Sequence, residues 1–145
     1  MNVAKSDDLK MEDLSNPELY INRELSQLEF TRRVIAQSKD GAVPLLERLR
    51  FLCIASQVLD EFFEIRVAGL KQQEAYGSVQ RGPDNMSPAD QLRQIAASTH
   101  DLVRQQYKIL NEDLVPKLQQ HGIRFLSEVS WNEKQAFWIK QYFTR

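Results

Sequence analysis

The sequence predicts an all-α fold, an antiparallel bundle of about four to five helices with one long helix. Three observations predict it. Apolar residues recur at three- and four-residue spacing through most of the chain. Helix-start signatures stand at intervals along it. Breaks carrying Gly and Pro separate the periodic stretches. The 145 residues suffice for one compact domain, and 42% hydrophobic with 27% charged residues is an ordinary globular balance.

Residues 1 to about 18 read as a flexible arm, leaving 19–145 as the helical domain. Ser26-Gln27-Leu28-Glu29 has capping-box spacing, with Leu25 and Phe30 placed for a hydrophobic staple, so a first helix is expected from there to about Lys39. Glu29 and Arg33 form a favourable i,i+4 pair. Asp40-Gly41 breaks this helix, and Pro44 is placed to open the next. Leu45, Leu46, Leu49, Leu52 and Cys53 keep helical spacing there. A third helix is expected from Leu59 to Gln73, either capped by Ser56 or continuous through a kink. Gly77 to Asn85 reads as a loop. Ser87-Pro88-Ala89-Asp90 then opens the long helix, which Pro116 kinks or interrupts and Gly122 ends. Ile123 to Leu126 reads as a brief extended segment. Ser130-Trp131-Asn132-Glu133 has capping-box spacing for a last helix with Phe137, Trp138 and Phe143. That helix is still running at Arg145, which reads as truncation.

The formal net charge of -1 gives no field to steer the chain onto nucleic acid or an anionic membrane. Cys53, the single cysteine, lies in an apolar run and reads as a small core hydrophobe in a reducing compartment. No stretch is apolar enough to span a bilayer, and the polar, acidic start lacks a signal peptide's pattern. The expected location is the cytoplasm. No catalytic constellation can be written. The two histidines, His100 and His121, are far apart, no metal-ligand cluster appears, and five glycines supply neither a Walker loop nor a dinucleotide fingerprint.

One segment stands out, Leu59-Asp60-Glu61-Phe62-Phe63-Glu64-Ile65-Arg66-Val67. At about 100° per residue, Leu59, Phe62, Phe63, Val67 and Leu70 share one face with Arg66 in its middle. A guanidinium there is costly unless paired. It is either satisfied by a core salt bridge or by reaching solvent, or it grips an anion through its planar fork. Asp60 and Glu64 form a like-charge i,i+4 pair read as a solvated edge. Arg32-Arg33 and Arg48 with Arg50 are likewise read as solvated. Trp131 and Trp138 share a face suited to core or interface packing.

Three blocks carry a resemblance. Tyr20-Ile21-Asn22-Arg23-Glu24-Leu25-Ser26-Gln27-Leu28-Glu29-Phe30, the run from Val43 through Leu52, and the run from Leu59 through Lys71 resemble the opening of bacterial polyphosphate kinases of the phosphohistidine type. Weaker likeness continues through Gln106 to Asn111 and His121 to Leu126. The resemblance implies an enzyme that reversibly moves the terminal phosphate of ATP onto inorganic polyphosphate through a phosphorylated histidine, with Mg2+. The histidine would lie in later domains, and neither His100 nor His121 matches it. The N-terminal domain would be a helical part that helps hold the adenine end of ATP or ADP and binds no cofactor tightly alone. The family also implies a homo-oligomer, commonly a dimer, with at most peripheral membrane contact; from the charge, no nucleic-acid partner is expected.

One departure bears on the site. The family usually carries an asparagine directly before Leu-Asp-Glu-Phe, associated with ATP; here Val58 stands there, preceded by Gln57. Valine offers neither the donor nor the acceptor of an amide. Either Gln57 has taken over the contact, or packing alone holds the base, or nucleotide binding is lost. The expected nucleotide-side residues are therefore Gln57, Val58, Asp60 and Arg66, with no catalytic or metal-binding residue. The competing reading is a non-catalytic helical interaction module, a diverged remnant of that domain.

Overall fold

In the computed structural model, which describes residues 14–126 and 131–144, Asn22 rather than Ser26 starts the first helix, α1 (Arg23–Lys39). The Asn22 side chain accepts from the amides of Glu24 and Leu25, both at 3.0 Å. Two satisfied amides outweigh the single box expected at Ser26, whose own amide is already bonded to the Asn22 carbonyl at 2.9 Å. Glu29 pairs with Arg32 at 3.2 Å rather than with Arg33, and Arg33 lies 5.9 Å from the Phe30 ring centroid. Of the arm expected through residue 18, residues 1–13 lie outside the described residues; Pro17–Leu19 form a 3-10 turn.

Pro44 caps the next helix, α2 (Leu45–Glu61). The chain does not restart at Ser56, whose hydroxyl donates back to the Leu52 carbonyl at 3.3 Å. Instead α2 runs through a π-helical turn, π1 (Phe62–Val67), into α3 (Ala68–Ala75). The second rod repeats this plan: α4 (Pro88–Ile109), a π-helical turn π2 (Leu110–Leu114), and α5 (Val115–Gln120). Ser87 and Asp90 form the expected capping box. Pro116 falls in the first turn of α5, so the freed carbonyls coincide with the π-turn and the rod is not interrupted. Both rods end alike. Gly77 and Gly122 hold φ of +67° and +81°. The amides of Ser78 and Ile123 reach back to the carbonyls of Gln73 and Leu118, each at 2.9 Å.

α1, the α2–α3 rod and the α4–α5 rod form an all-α bundle. α1 and the first rod are joined by a short connection and run antiparallel. α4 runs parallel to α1, since Arg32 meets Asp101 at 2.7 Å and Lys39 meets Gln105 at 2.9 Å. The fourth helix, α6 (Glu133–Phe143), starts at a capping box of Asn132 with Gln135, not at Ser130, which lies outside the described residues. It buries none of its own side chains. Residues 123–126 adopt no strand. Among the described residues no helix is long and apolar enough to cross a membrane.

Core positions show why the π-turns are there. In α1 the buried residues are Glu24, Leu28, Thr31, Ile35 and Ser38, at strict four- and three-residue steps. In the first rod they run Arg48, Leu52, Ala55, Leu59 and Phe62, then jump five to Val67 and three to Leu70. In the second they run Ile95, Thr99, Leu102, Gln106 and Ile109, then jump five to Leu114 and four to Leu118. A continuous α-helix would have turned Arg66 and Asp113 inward at these points. The wider turn absorbs one extra residue. Val67 and Leu114 take the inner places, each contributing roughly 1.5–3 kcal/mol by burial.

Two expectations fail on burial. Arg48, read as solvated, is only 3% exposed. It occupies the first core step of α2, where its Nε donates to the Ser38 carbonyl at 2.7 Å and its terminal nitrogen to Asp113. Cys53, read as core, is exposed, because it follows the inward Leu52 by one residue, about 100° around the helix.

Lys117 Nζ also reaches Asp113, at 2.5 Å. Hydrogen bonds first from Lys117 and then from Arg48 hold the Asp113 carboxyl below the usual carboxylate range, and Arg32 and then Gln105 do the same for Asp101. A depressed folded-state pKa contributes stability that is complete above the unfolded value near ~4 and is lost as pH falls through the folded one. Urea midpoints should therefore hold steady from neutral pH down to about 5 and fall below about 4. Asp113→Ala strands Arg48 and should cost about 1–3 kcal/mol at neutral pH. A wild-type urea midpoint for that variant would show that Arg48 is satisfied without it.

Candidate functional site

Glu24 sits at the first buried step of α1 and is 3% exposed. A buried carboxylate needs charged donors. It receives two: Arg66 Nε reaches Oε2 at 3.0 Å and Arg23 Nε reaches Oε1 at 2.8 Å. Arg66 comes from the π-turn, which rotates it from the core face to the bundle edge, leaving its side chain 42% exposed. Of the alternatives open for Arg66, the salt bridge to a buried partner is the one formed.

Around this pair lies an open cleft of ≈ 290 Å³, lined on α1 by Arg23, Glu24 and Gln27 and on the first rod by Val58, Glu61, Phe62, Ile65 and Arg66. The bond to Glu24 uses only the Nε of each arginine; the terminal guanidinium nitrogens of both take no protein partner among the described residues. The cleft thus combines an apolar patch, an amide in Gln27, and two guanidinium groups oriented by one carboxylate.

Of the four residues expected on the nucleotide side, Val58 and Arg66 share this cleft. Gln57 is exposed beside it and bonds Glu61 at 3.3 Å, the carboxylate one turn on. Asp60, two residues from Val58 and so about 200° around the helix, lines a different groove, between α2 and α4. Three residues of the cleft were not singled out in advance: Arg23, Glu24 and Gln27. The available signal was the regular spacing from Glu24 to Leu28, Thr31 and Ile35, which puts a carboxylate on an apolar stripe and demands a cation. Trp131 and Trp138 flank a separate groove with Phe125 and Ile139; Trp138 is exposed rather than core.

The pattern of the polyphosphate kinase N-terminal domain matches residues 20–126. Among curated proteins, a polyphosphate kinase of Pseudomonas syringae pv. tomato is 48% identical over 131 residues, 90% of this chain and 18% of the relative. One of Xylella fastidiosa is 49% identical over 128 residues, 88% of this chain and 18% of the relative. One of Neisseria meningitidis is 46% identical over 123 residues, 85% and 18%. The chain therefore spans under a fifth of the length of these relatives. No solved structure matches.

Arg66→Ala should leave Glu24 buried with only the well-exposed Arg23 and should cost about 1–3 kcal/mol. Glu24→Gln made alongside removes the stranded charge and should recover at least about half of that loss. Additive single and double variants in urea titration would show that the two side chains are not coupled.

Proposed function

The chain belongs to the polyphosphate kinase N-terminal domain family, and from that membership we propose that it is the nucleotide-side helical part of an enzyme that reversibly transfers the terminal phosphate of ATP to inorganic polyphosphate. The observation that carries the reading is the cleft in which Val58, at the position where the resemblance expects an ATP-associated asparagine, lies together with Arg66. Val58, Phe62 and Ile65 supply apolar surface for a base, and Gln27 supplies an amide. Gln57, next to Val58 in sequence and bonded to Glu61 of the cleft, would substitute for the missing amide.

On this reading the domain orients the base and does none of the phosphoryl chemistry. That chemistry needs a nucleophile and cations at the phosphates, supplied with Mg2+ and the phospho-accepting histidine by other parts of a longer, homo-oligomeric, cytoplasmic protein. The second reading, a helical interaction module without catalysis, draws on two observations. Val58 replaces a hydrogen-bonding side chain, and α6 exposes Phe137, Trp138, Tyr142 and Phe143.

An antibody against this domain distinguishes the two. A native species several times heavier than 16.9 kDa, converting ATP into polyphosphate, supports the kinase; a species of about the chain's own mass supports the module. In the complete enzyme, Val58→Asn should tighten ATP binding about fivefold, near the ~1 kcal/mol of one net hydrogen bond, as measured by calorimetry. An unchanged dissociation constant would mean that Gln57 or packing already does this work.

A further inference from the structure

The groove between α2 and α4 lies on the far side of α2 from the Val58 cleft and shares no residue with it. It is open to solvent, encloses about 400 Å³, and has a floor of leucine and valine side chains. Six residues give it character: Ser56, Asp60, Phe63, Thr99, Gln106 and Tyr107. No lysine or arginine lines it.

Its unspent polar groups are a carboxylate, an amide carbonyl and a hydroxyl. Gln106 is only 7% exposed. Its Nε2 donates to Ser56 Oγ at 3.3 Å, and its side-chain carbonyl has no partner among the described residues and is not sealed from solvent. Thr99, two turns earlier on the same face of α4, is 8% exposed, and its Oγ1 is the one fully buried side-chain oxygen without a hydrogen bond among the described residues. A threonine in a helix ordinarily donates to the carbonyl a turn back. The Asp60 carboxylate, on the opposite wall, makes neither an ion pair nor a hydrogen bond among the described residues. Ser56 is already engaged with Leu52 and Gln106. Phe63 and Tyr107 stand at the two ends, both substantially exposed.

Each feature selects the same ligand chemistry. A free carboxylate and a free amide carbonyl call for a ligand rich in N–H. A lone carboxylate in a groove with no cation calls for positive charge, and exposed ring faces add cation–π attraction. An apolar floor calls for methylene groups. Thr99 and Gln106, seven residues apart, are separated by about 10 Å along the helix, so the acceptors are strung out rather than clustered as a metal would need. We propose that the α2–α4 groove binds a linear aliphatic polyamine, with one ammonium on Asp60, another at the Gln106 carbonyl beside Tyr107, and the methylenes on the floor. The far end would extend toward Phe63. This site is independent of the nucleotide cleft and of the kinase reading.

The test is calorimetric titration of the chain with spermidine at about 0.15 M salt, where diffuse surface attraction is largely screened. One saturable site is expected. Asp60→Asn should weaken it about tenfold and Gln106→Met about threefold. Glu64→Gln, an exposed acid one turn from Asp60 and outside the groove, should change it less than about twofold. Octane-1,8-diol, which has the length without the charge, should not compete. Loss of binding by Glu64→Gln equal to that by Asp60→Asn would reduce the effect to surface charge. The absence of saturable binding, or undiminished binding by Asp60→Asn, would overturn the site.

Discussion

Two charged side chains, Glu24 and Arg48, are buried at opposite ends of the seam between α1 and α2, and the course of both long rods follows from the need to bring each a counter-charge. Leaving either unpaired would cost several kcal/mol. Glu24 is served by Arg66 from π1, and Arg48 by Asp113 from π2. In both places the wider turn moves a charged residue from the core face to the edge and puts the next apolar residue in its stead. The local helical irregularity and the polar pair are therefore one device used twice. It puts an apolar residue at the core step where the turn occurs while delivering a side chain to a buried partner on another element.

This explains what could be read in the sequence and what could not. Helix existence was legible wherever signals were local: Ser87 with Asp90, the glycines at 77 and 122, Pro44, the break at Asp40. The all-α class follows from these alone. The π-turns were not legible, because projection at a fixed 100° assumes the regularity they break. Applied to Leu59 through Leu70, that projection put Arg66 inside and Phe63 beside it. In the fold Arg66 is at the edge and Phe63 is exposed. At Pro116, proline sterics alone predict a kink or an interruption. The chain accommodates the proline in the turn beginning at Val115, directly after π2.

Caps and burial went astray for a different reason. Ser26 has the right spacing, but a cap needs non-helical backbone at its own position, and Asn22 had taken that place; the last helix is capped by Asn132. Charge alone groups Arg48 with Arg50 on a solvated face and leaves out the helical phase. The step of Arg48 with Leu52, Ala55 and Leu59 puts it in line with the core. The candidate cleft was half legible for the same reason. Val58 and Arg66 came from the resemblance and from the cost of a charge on an apolar stripe. Glu24, which meets that cost, lies 42 residues away, and only tertiary structure joins them.

The paired charges also fix register. α1 and α2 are joined by a short connection and meet through regular steps of small and aliphatic residues, a seam along which a slip of one helical turn would still bury apolar surface. The same slip would carry Glu24 away from Arg66 and set Arg48 against the side chains of α1 instead of the open carbonyl of Ser38. Each displaced ion would then forfeit its partner inside the bundle, at a cost comparable to the whole stability of a small domain. Hydrophobic burial makes the bundle compact, and the two ions select one alignment of it. That alignment sets Val58 opposite Gln27 and places Ser56 against Gln106, so the shape of both grooves on α2 is a consequence of where two charges are buried.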